Sequence, residues 1–268
     1  MDSFTKINII EYRDGSFSEK EDTVVTEKTL RIFSNNKEIV NLLCTPTMVK
    51  ELIVGFALSE GFLSSEKEQR GSQQSWCAER IEIFWKDKDI EVNLPIGTPE
   101  TVATLTSGCA KGVTFTANKE IPVIQDEFKA SVNAILERYR EFQKKSELFR
   151  ATGGVHSAAL CDEKEMIVFS EDIGRHNAMD KIIGYAFLEN ISMQGKILLL
   201  SGRLSSEIVH KAVKAGVPIL VSRAAPTDMA VEIARKANIT LIGFLRGQHL
   251  NIYSNPGRVI KGSDLPDT

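Results

Sequence analysis

Hydrophobic and polar positions change rhythm partway along this chain. The first half reads mostly as strand. Residues 24–33 and 39–43 are β-rich and bracket the turn-like Ser34-Asn35-Asn36-Lys37. Residues 81–85 and 90–94 alternate apolar and polar, the pattern of half-buried strands. Between these lies a helical stretch. Thr45 is placed to cap it and Pro46 suits its first turn. Val49, Leu52, Ile53 and Phe56 share a face, and Gly61 suits its end. Residues 64–75 are polar without period and predict an exposed loop. A long helix is predicted over 126–145, with Phe128, Val132, Ile135, Leu136, Tyr139 and Phe142 inward. Arg138, Arg140, Lys144 and Lys145 form its solvated face.

The second half alternates strand with helix. Residues 156–160 and 166–169 predict a strand pair, and 175–188 a helix burying Ala178, Ile182, Ile183, Ala186 and Phe187. Short apolar strands follow at 196–201, 217–221, 239–244 and 250–253. The helices between them carry Ile208, Val209, Ala212 and Val213, then, from Pro226, Ala230, Ile233, Ala234 and Ala237. Such alternation implies an α/β fold, a largely parallel sheet with helices on its faces. The expected division is a smaller β-rich part over 1–125 and an α/β part over 126–268 that includes the long helix.

Charge narrows the function classes. The 268 residues hold 33 basic and 36 acidic side chains, a net charge of −3. No basic tract asks for nucleic acid. No apolar run approaches the roughly 18 residues of a membrane span. The N-terminus lacks a basic segment followed by an apolar core, so no signal peptide is expected and the expected compartment is the cytosol. The cysteines are Cys44, Cys77, Cys109 and Cys161, without a CxxC pair or zinc-finger spacing. Cys44 and Cys161 sit in apolar runs and read as packing, while Cys77 suits either packing or exposure. Cys109 lies in Thr106-Ser107-Gly108-Cys109-Ala110-Lys111-Gly112. There two glycines permit turns that aim N–H groups inward, and Lys111 supplies a cation, the surroundings that stabilise a thiolate. A reactive thiol and a small apolar residue in a turn both fit this loop.

In parallel sheets ligands bind outside the carboxyl ends of the strands. Four turns predicted there each carry an arginine: Glu171 to Asn177 with Arg175, Ser201 to Glu207 with Arg203, Ser222 to Thr227 with Arg223, and Leu245 to His249 with Arg246. Three run into helix N-termini. Repeated arginines at helix starts suit an anionic, phosphorylated ligand. Walker A and GxGxxG patterns are absent. His176 and Asp180 lie four apart on one helix and are spaced to pair.

These residues also carry a resemblance. Ala151-Thr152-Gly153-Gly154-Val155-His156, the stretch Glu171-Asp172-Ile173-Gly174-Arg175-His176-Asn177-Ala178-Met179-Asp180-Lys181, Ser201-Gly202-Arg203 with Glu207, and Ala225-Pro226-Thr227 resemble the FdhD family. Gly55-Phe56 with Ser59-Glu60-Gly61 and the Cys109 loop extend the likeness over nearly the whole chain. Members are formate dehydrogenase accessory proteins, sulfurtransferases of molybdenum-cofactor maturation. The resemblance implies that a cysteine desulfurase loads sulfur on Cys109 as a persulfide. The sulfur then passes to a molybdenum bis(molybdopterin guanine dinucleotide) cofactor destined for formate dehydrogenase. It implies cofactor contact by Phe244, Leu245, Arg246, Gly247, Gln248 and His249, with Arg175, His176 and Arg203 as further candidates, and it suggests a homodimer. It further implies a cytidine deaminase-like, three-layer C-terminal half. The deaminase cysteine pair is missing at the matching helix starts, so neither zinc nor deamination is expected. Some members place a second cysteine three residues after the first. Here that position is Gly112. The competing readings are a cofactor-binding chaperone without chemistry and a deaminase-like nucleotide hydrolase.

Overall fold

The computed structural model describes residues 2–34, 37–62, 81–87, 89–94, 104–106, 112–114 and 121–261. Cys77, Cys109 and the polar stretch 64–75 lie outside them. Strands β1 (Phe4–Arg13) and β2 (Ser16–Val25) form an antiparallel hairpin that the hydrophobic pattern did not indicate. Next come β3 (Lys28–Ser34), β4 (Lys37–Cys44), helix α1 (Val49–Glu60), β5 (Glu82–Trp85) and β6 (Asp89–Leu94), with sheet order β4-β3-β6-β5. Their inward residues, Leu30, Ile32, Ile90, Val92 and Leu94, pack on Leu52, Ile53 and Phe56 of α1. β7 (Thr104–Thr106) and β8 (Gly112–Thr114) pair antiparallel, so Thr106 and Gly112, the ends of the Cys109 loop, face each other.

The remaining elements are β9 (Ala130–Ser131), α2 (Val132–Lys145), α3 (Glu147–Thr152), β10 (His156–Cys161), β11 (Met166–Asp172), α4 (Arg175–Leu188), β12 (Ile197–Leu200), α5 (Ser206–Ala215), β13 (Ile219–Ser222), α6 (Asp228–Lys236), β14 (Thr240–Arg246), β15 (His249–Ser254) and β16 (Val259–Ile260). A six-stranded sheet runs β11-β10-β12-β13-β14-β15. One face packs on α4, α5 and α6 through Leu198, Leu200, Leu220 and Leu241. The other packs on α2 through Ala159, Leu199, Val221 and Ile242. Each fully buried Leu or Ile contributes roughly 1.5–3 kcal/mol.

Several expectations need correction. The sheet is mixed: only β12, β13 and β14 are mutually parallel neighbours, and the other ladders are antiparallel. The β10–β11 and β14–β15 connections are too short for the crossover that parallel strands need. Helix α2 begins at Val132, not 126, because Ala130 and Ser131 pair with β16 and the Ser131 hydroxyl then caps the helix, accepting from Ala134 N at 3.1 Å. Helix α1 begins at Val49, so Thr45 caps nothing; it is buried and bonded to Asp172. Arg138 is not solvated. It lies buried and donates to the Lys164 carbonyl at 2.7 Å.

Helices α1 and α4 cross so closely that glycine is required on both. A Cβ at Gly55 would fall 1.8 Å from the Asp180 carbonyl oxygen, and one at Gly184 1.9 Å from that of Glu51. This crossing joins the smaller sheet and its helix to the large one.

Candidate functional site

Strand direction decides which residues share an edge. β11 and β12 are both antiparallel to β10, and β12, β13 and β14 are parallel. The carboxyl ends of β11, β12, β13 and β14 therefore meet at one edge of the sheet, and β10 and β15 begin there. Arg175, Arg203, Arg223 and Arg246 follow the first four strands, and His156 and His249 start the other two. The structure thus brings the four predicted arginine turns together. Arg203, Arg223 and Arg246 are exposed, while Arg175 is half-buried.

Backbone and hydroxyl bonds make this edge rigid. Leu204 N donates to the Ala225 carbonyl and Thr227 N to that of Leu204, each at 3.1 Å, and Phe244 N donates to the Ala224 carbonyl at 3.3 Å. The Ser222 hydroxyl donates to the Gly202 carbonyl at 2.7 Å. The Ser201 hydroxyl oxygen accepts from Ser157 N at 2.9 Å and stands 3.4 Å from His156 Nδ1. A Cβ on Gly202 would lie 3.2 Å from Arg175 Cβ and 3.4 Å from His156 Nδ1, so this position is filled to contact without a side chain.

Two histidines sit in this cluster with different partners. His176 Nε2 lies 3.2 Å from Glu207 Oε2, and that contact holds the Glu207 carboxyl below its usual range. The expected His176–Asp180 pair does not form, because the two side chains leave the helix toward different neighbours. Burial, helped by the guanidinium of Arg175, lowers the His156 pKa. A depressed imidazole pKa means that the unfolded chain binds the proton more tightly. His156 therefore contributes stability above about pH 6.5 that is lost as pH falls through its folded value. Urea unfolding at pH 7.5 and 5.5 is expected to show a smaller pH-dependent loss for His156→Gln than for the unaltered chain; equal losses contradict this origin.

The predicted segment from Phe244 to His249 forms the end of β14, a tight turn at Gly247 and Gln248, and the start of β15. The β14–β15 register shifts between Gly243 and Arg246, and Phe244 takes a left-handed φ of 52°. Bulges of this kind re-aim side chains, and the left-handed region costs a bulky residue about 1–3 kcal/mol. The surrounding bonds hold the strain, and the Arg246 guanidinium lies 5.9 Å from the centre of the Phe244 ring. Gly ordinarily destabilises a strand relative to Ala. Here Phe244→Gly is expected to exceed Phe244→Ala in stability by about 1 kcal/mol by urea unfolding.

The acidic and basic members of the 171–181 stretch do other work. Lys181 is fully buried. Its ammonium meets Asp172 Oδ2 at 2.7 Å and donates to the carbonyls of Thr45 at 3.1 Å and Glu171 at 3.0 Å. Asp172 also accepts from Thr45 N, Gly174 N and Asn177 Nδ2. Asp180 accepts from the Ser59 hydroxyl at 2.7 Å and from Lys211 at 2.6 Å. Burial lowers the Lys211 pKa, but Asp180 and Glu60 raise it more. These pairs fasten α4 to the β4–α1 corner. Lys211 went unnoticed in the sequence, although a lysine on the apolar face of α5 beside Ile208 and Ala212 signals a buried carboxylate.

Cys44 and Cys161 are buried, and burial pushes both thiols up to about 12. Neither forms thiolate near neutrality. Among the described residues no group of three His, Cys, Asp or Glu side chains could hold a metal ion, and no helix is long and apolar enough to cross a membrane.

The chain is 37% identical over 259 residues to a Bacillus subtilis sulfur carrier protein FdhD, covering 92% of this chain and 94% of that one. A Bacillus pumilus protein of the same name is 38% identical over 254 residues, covering 94% and 95%. The crystal structure of a candidate formate dehydrogenase accessory protein from Desulfotalea psychrophila superposes with a TM-score of 0.74 at 24% identity, over 97% of this chain and all of that one. A match running through both sheets, the strand-end arginine turns and the buried pairs of α4 is a match of the whole fold. The FdhD/NarQ family profile covers residues 25–260, and the chain belongs to that family.

Proposed function

We propose that this protein is a sulfur carrier required for formate dehydrogenase activity. It takes sulfur from a cysteine desulfurase as a Cys109 persulfide and hands it to the molybdenum of a bis(molybdopterin guanine dinucleotide), bound as substrate. The names of its relatives support sulfur carriage. Burial of Cys44 and Cys161, which pushes both thiols up to about 12, removes them as carriers and leaves Cys77 and Cys109, of which Cys109 alone lies in a loop that pairs glycines with a lysine. Lys111 and the glycines around Cys109 suit an anionic persulfide.

In loading, the Cys109 thiolate attacks the outer sulfur of the desulfurase persulfide, and the desulfurase cysteine leaves as thiolate. The arginine-lined edge suits a ligand bearing several phosphates. Phe244, Leu245, Arg246, Gly247, Gln248 and His249 contact it, with Arg175, His176 and Arg203 beside them. We also read the C-terminal half as similar in fold to cytidine deaminases, working without zinc, and the protein as a cytosolic homodimer. Mass spectrometry after incubation with a desulfurase and cysteine should show one added sulfur atom at Cys109. Sulfur found only elsewhere would refute the assignment. Arg246→Ala is expected to load sulfur normally and to bind guanine nucleotide on the order of 10-fold more weakly.

A further inference from the structure

Helix α2 carries a tyrosine whose hydroxyl the fold leaves unused. Tyr139 is 1% exposed, and its ring packs 5.3 Å from that of Phe142. Leu199 of β12, Val221 of β13, and Ile242 and Leu245 of β14 belong to the same cluster. The Tyr139 hydroxyl is buried and meets no hydrogen-bond partner among the described residues. Buried polar groups are nearly always satisfied, and one left unmet costs stability. A phenylalanine would fill the same space without that cost. The hydroxyl therefore calls for a partner that the described residues do not supply.

Its position says where that partner enters. Burial pushes the phenol up to about 12, and the guanidinium groups of Arg223 and Arg246 both act against that rise, so both lie within electrostatic reach of it. The Arg223 backbone acts the same way, the effect of an N–H aimed at the phenol oxygen, but stays outside hydrogen-bond geometry. Near neutrality the group is an O–H, a donor whose hydrogen has no acceptor. Arg223 and Arg246 are exposed, and side chains of that kind change rotamer freely. An anion that draws them aside uncovers the hydroxyl beneath. Leu245, from the segment read above as contacting the cofactor, is 2% exposed and packs in the Tyr139 cluster, which ties that segment to this ring.

We infer that the Tyr139 hydroxyl donates a hydrogen bond to a phosphate oxygen of the ligand held between Arg223 and Arg246. The arginines supply charge at the surface. The phenol supplies a neutral donor from the dry floor under them, where a bond to an anion is strongest. It also adds selectivity. Exposed guanidinium groups attract any anion, whereas a donor fixed below them reaches only a ligand that enters between the two turns. The inference rests on the reading of this edge as the site of a phosphate-bearing cofactor.

Calorimetric titration of the full chain with guanosine diphosphate and with guanosine, beside urea unfolding, tests it. Tyr139→Phe keeps the ring and removes the oxygen. It should bind guanosine diphosphate about 10-fold more weakly. It should unfold at a urea concentration no lower than the unaltered chain, because the free protein loses no bond. Guanosine, which has no phosphate, should be bound alike by both proteins; an equal loss for guanosine would put the hydroxyl on the base and overturn the phosphate assignment. Arg246→Ala separates the inference from the reading beneath it. Weaker binding by Arg246→Ala with none lost in Tyr139→Phe overturns the role of Tyr139 and leaves the site standing. Affinity indifferent to both changes, or an unaltered chain that binds no guanosine diphosphate, overturns both. A lower urea midpoint in Tyr139→Phe with unchanged affinity would make the hydroxyl a structural donor and overturn the inference as well.

Discussion

Replacing Cys109 by alanine is expected to reduce sulfur loading and formate dehydrogenase maturation to background while leaving the unfolding transition unchanged. The nucleophile in a carrier is also the atom that holds the cargo, so no neighbouring group compensates for its loss. Cys44→Ala and Cys161→Ala should behave in the opposite way. Their thiols are buried and held near 12, so sulfur loading should continue. Each removes packed volume, and each should lower stability by about 1 kcal/mol. The comparison separates carriage from packing within one protein. Maturation by Cys109→Ala at the unaltered level would leave the chaperone reading, under which Arg246→Ala alone should fail. Gly112 sharpens this expectation. The loop has no second cysteine at that place, so a relay between two loop thiols is not available to rescue the variant.

The second large effect belongs to the buried Asp172–Lys181 pair. Lys181→Ala should cost about 3–5 kcal/mol, because it leaves a fully buried carboxylate without its cation. Asp172→Asn should cost less: the amide keeps an acceptor for Thr45 N, and the Lys181 ammonium keeps the Thr45 and Glu171 carbonyls. Combining Asp172→Asn with Lys181→Met should be less damaging than the sum of the single changes, since neither charge is then stranded. Urea unfolding of the four proteins measures the coupling. A cost below about 1 kcal/mol for Lys181→Ala would show that water reaches the pair. The loss should fall on the contact between α1 and α4, where Gly55 and Gly184 already bring the backbones together.

This pair and the buried Asp180–Lys211 pair explain why the 171–181 stretch is so rich in charge. From sequence it looks like a ligand site at a helix start, and His176 does face that edge. Asp172, Asn177, Asp180 and Lys181 point the other way, into the joint with α1. Periodicity could not distinguish the two, because a buried ion pair places charge where the pattern predicts apolar side chains. The same blindness hid Lys211. The hairpin of β1 and β2 escaped for a different reason: it buries neither face, so its apolar and polar residues have no core to order them.

By itself the sequence determined the alternation of strand and helix in the second half, the ends of α4, the left-handed turn at Gly61, the packing role of two cysteines and the arginine in each of four turns. All of these are local, set by side-chain spacing and backbone preference over a few residues. The tertiary structure decided what depends on direction and distance. Strand order gathered the four arginines and two histidines at one edge, the ladder with β16 moved the start of α2, and a strained Phe244 was held by bonds from a distant turn. It also drew Lys181 and Lys211 inside, because only residues far apart in the chain could supply the carboxylates that make a buried charge tolerable.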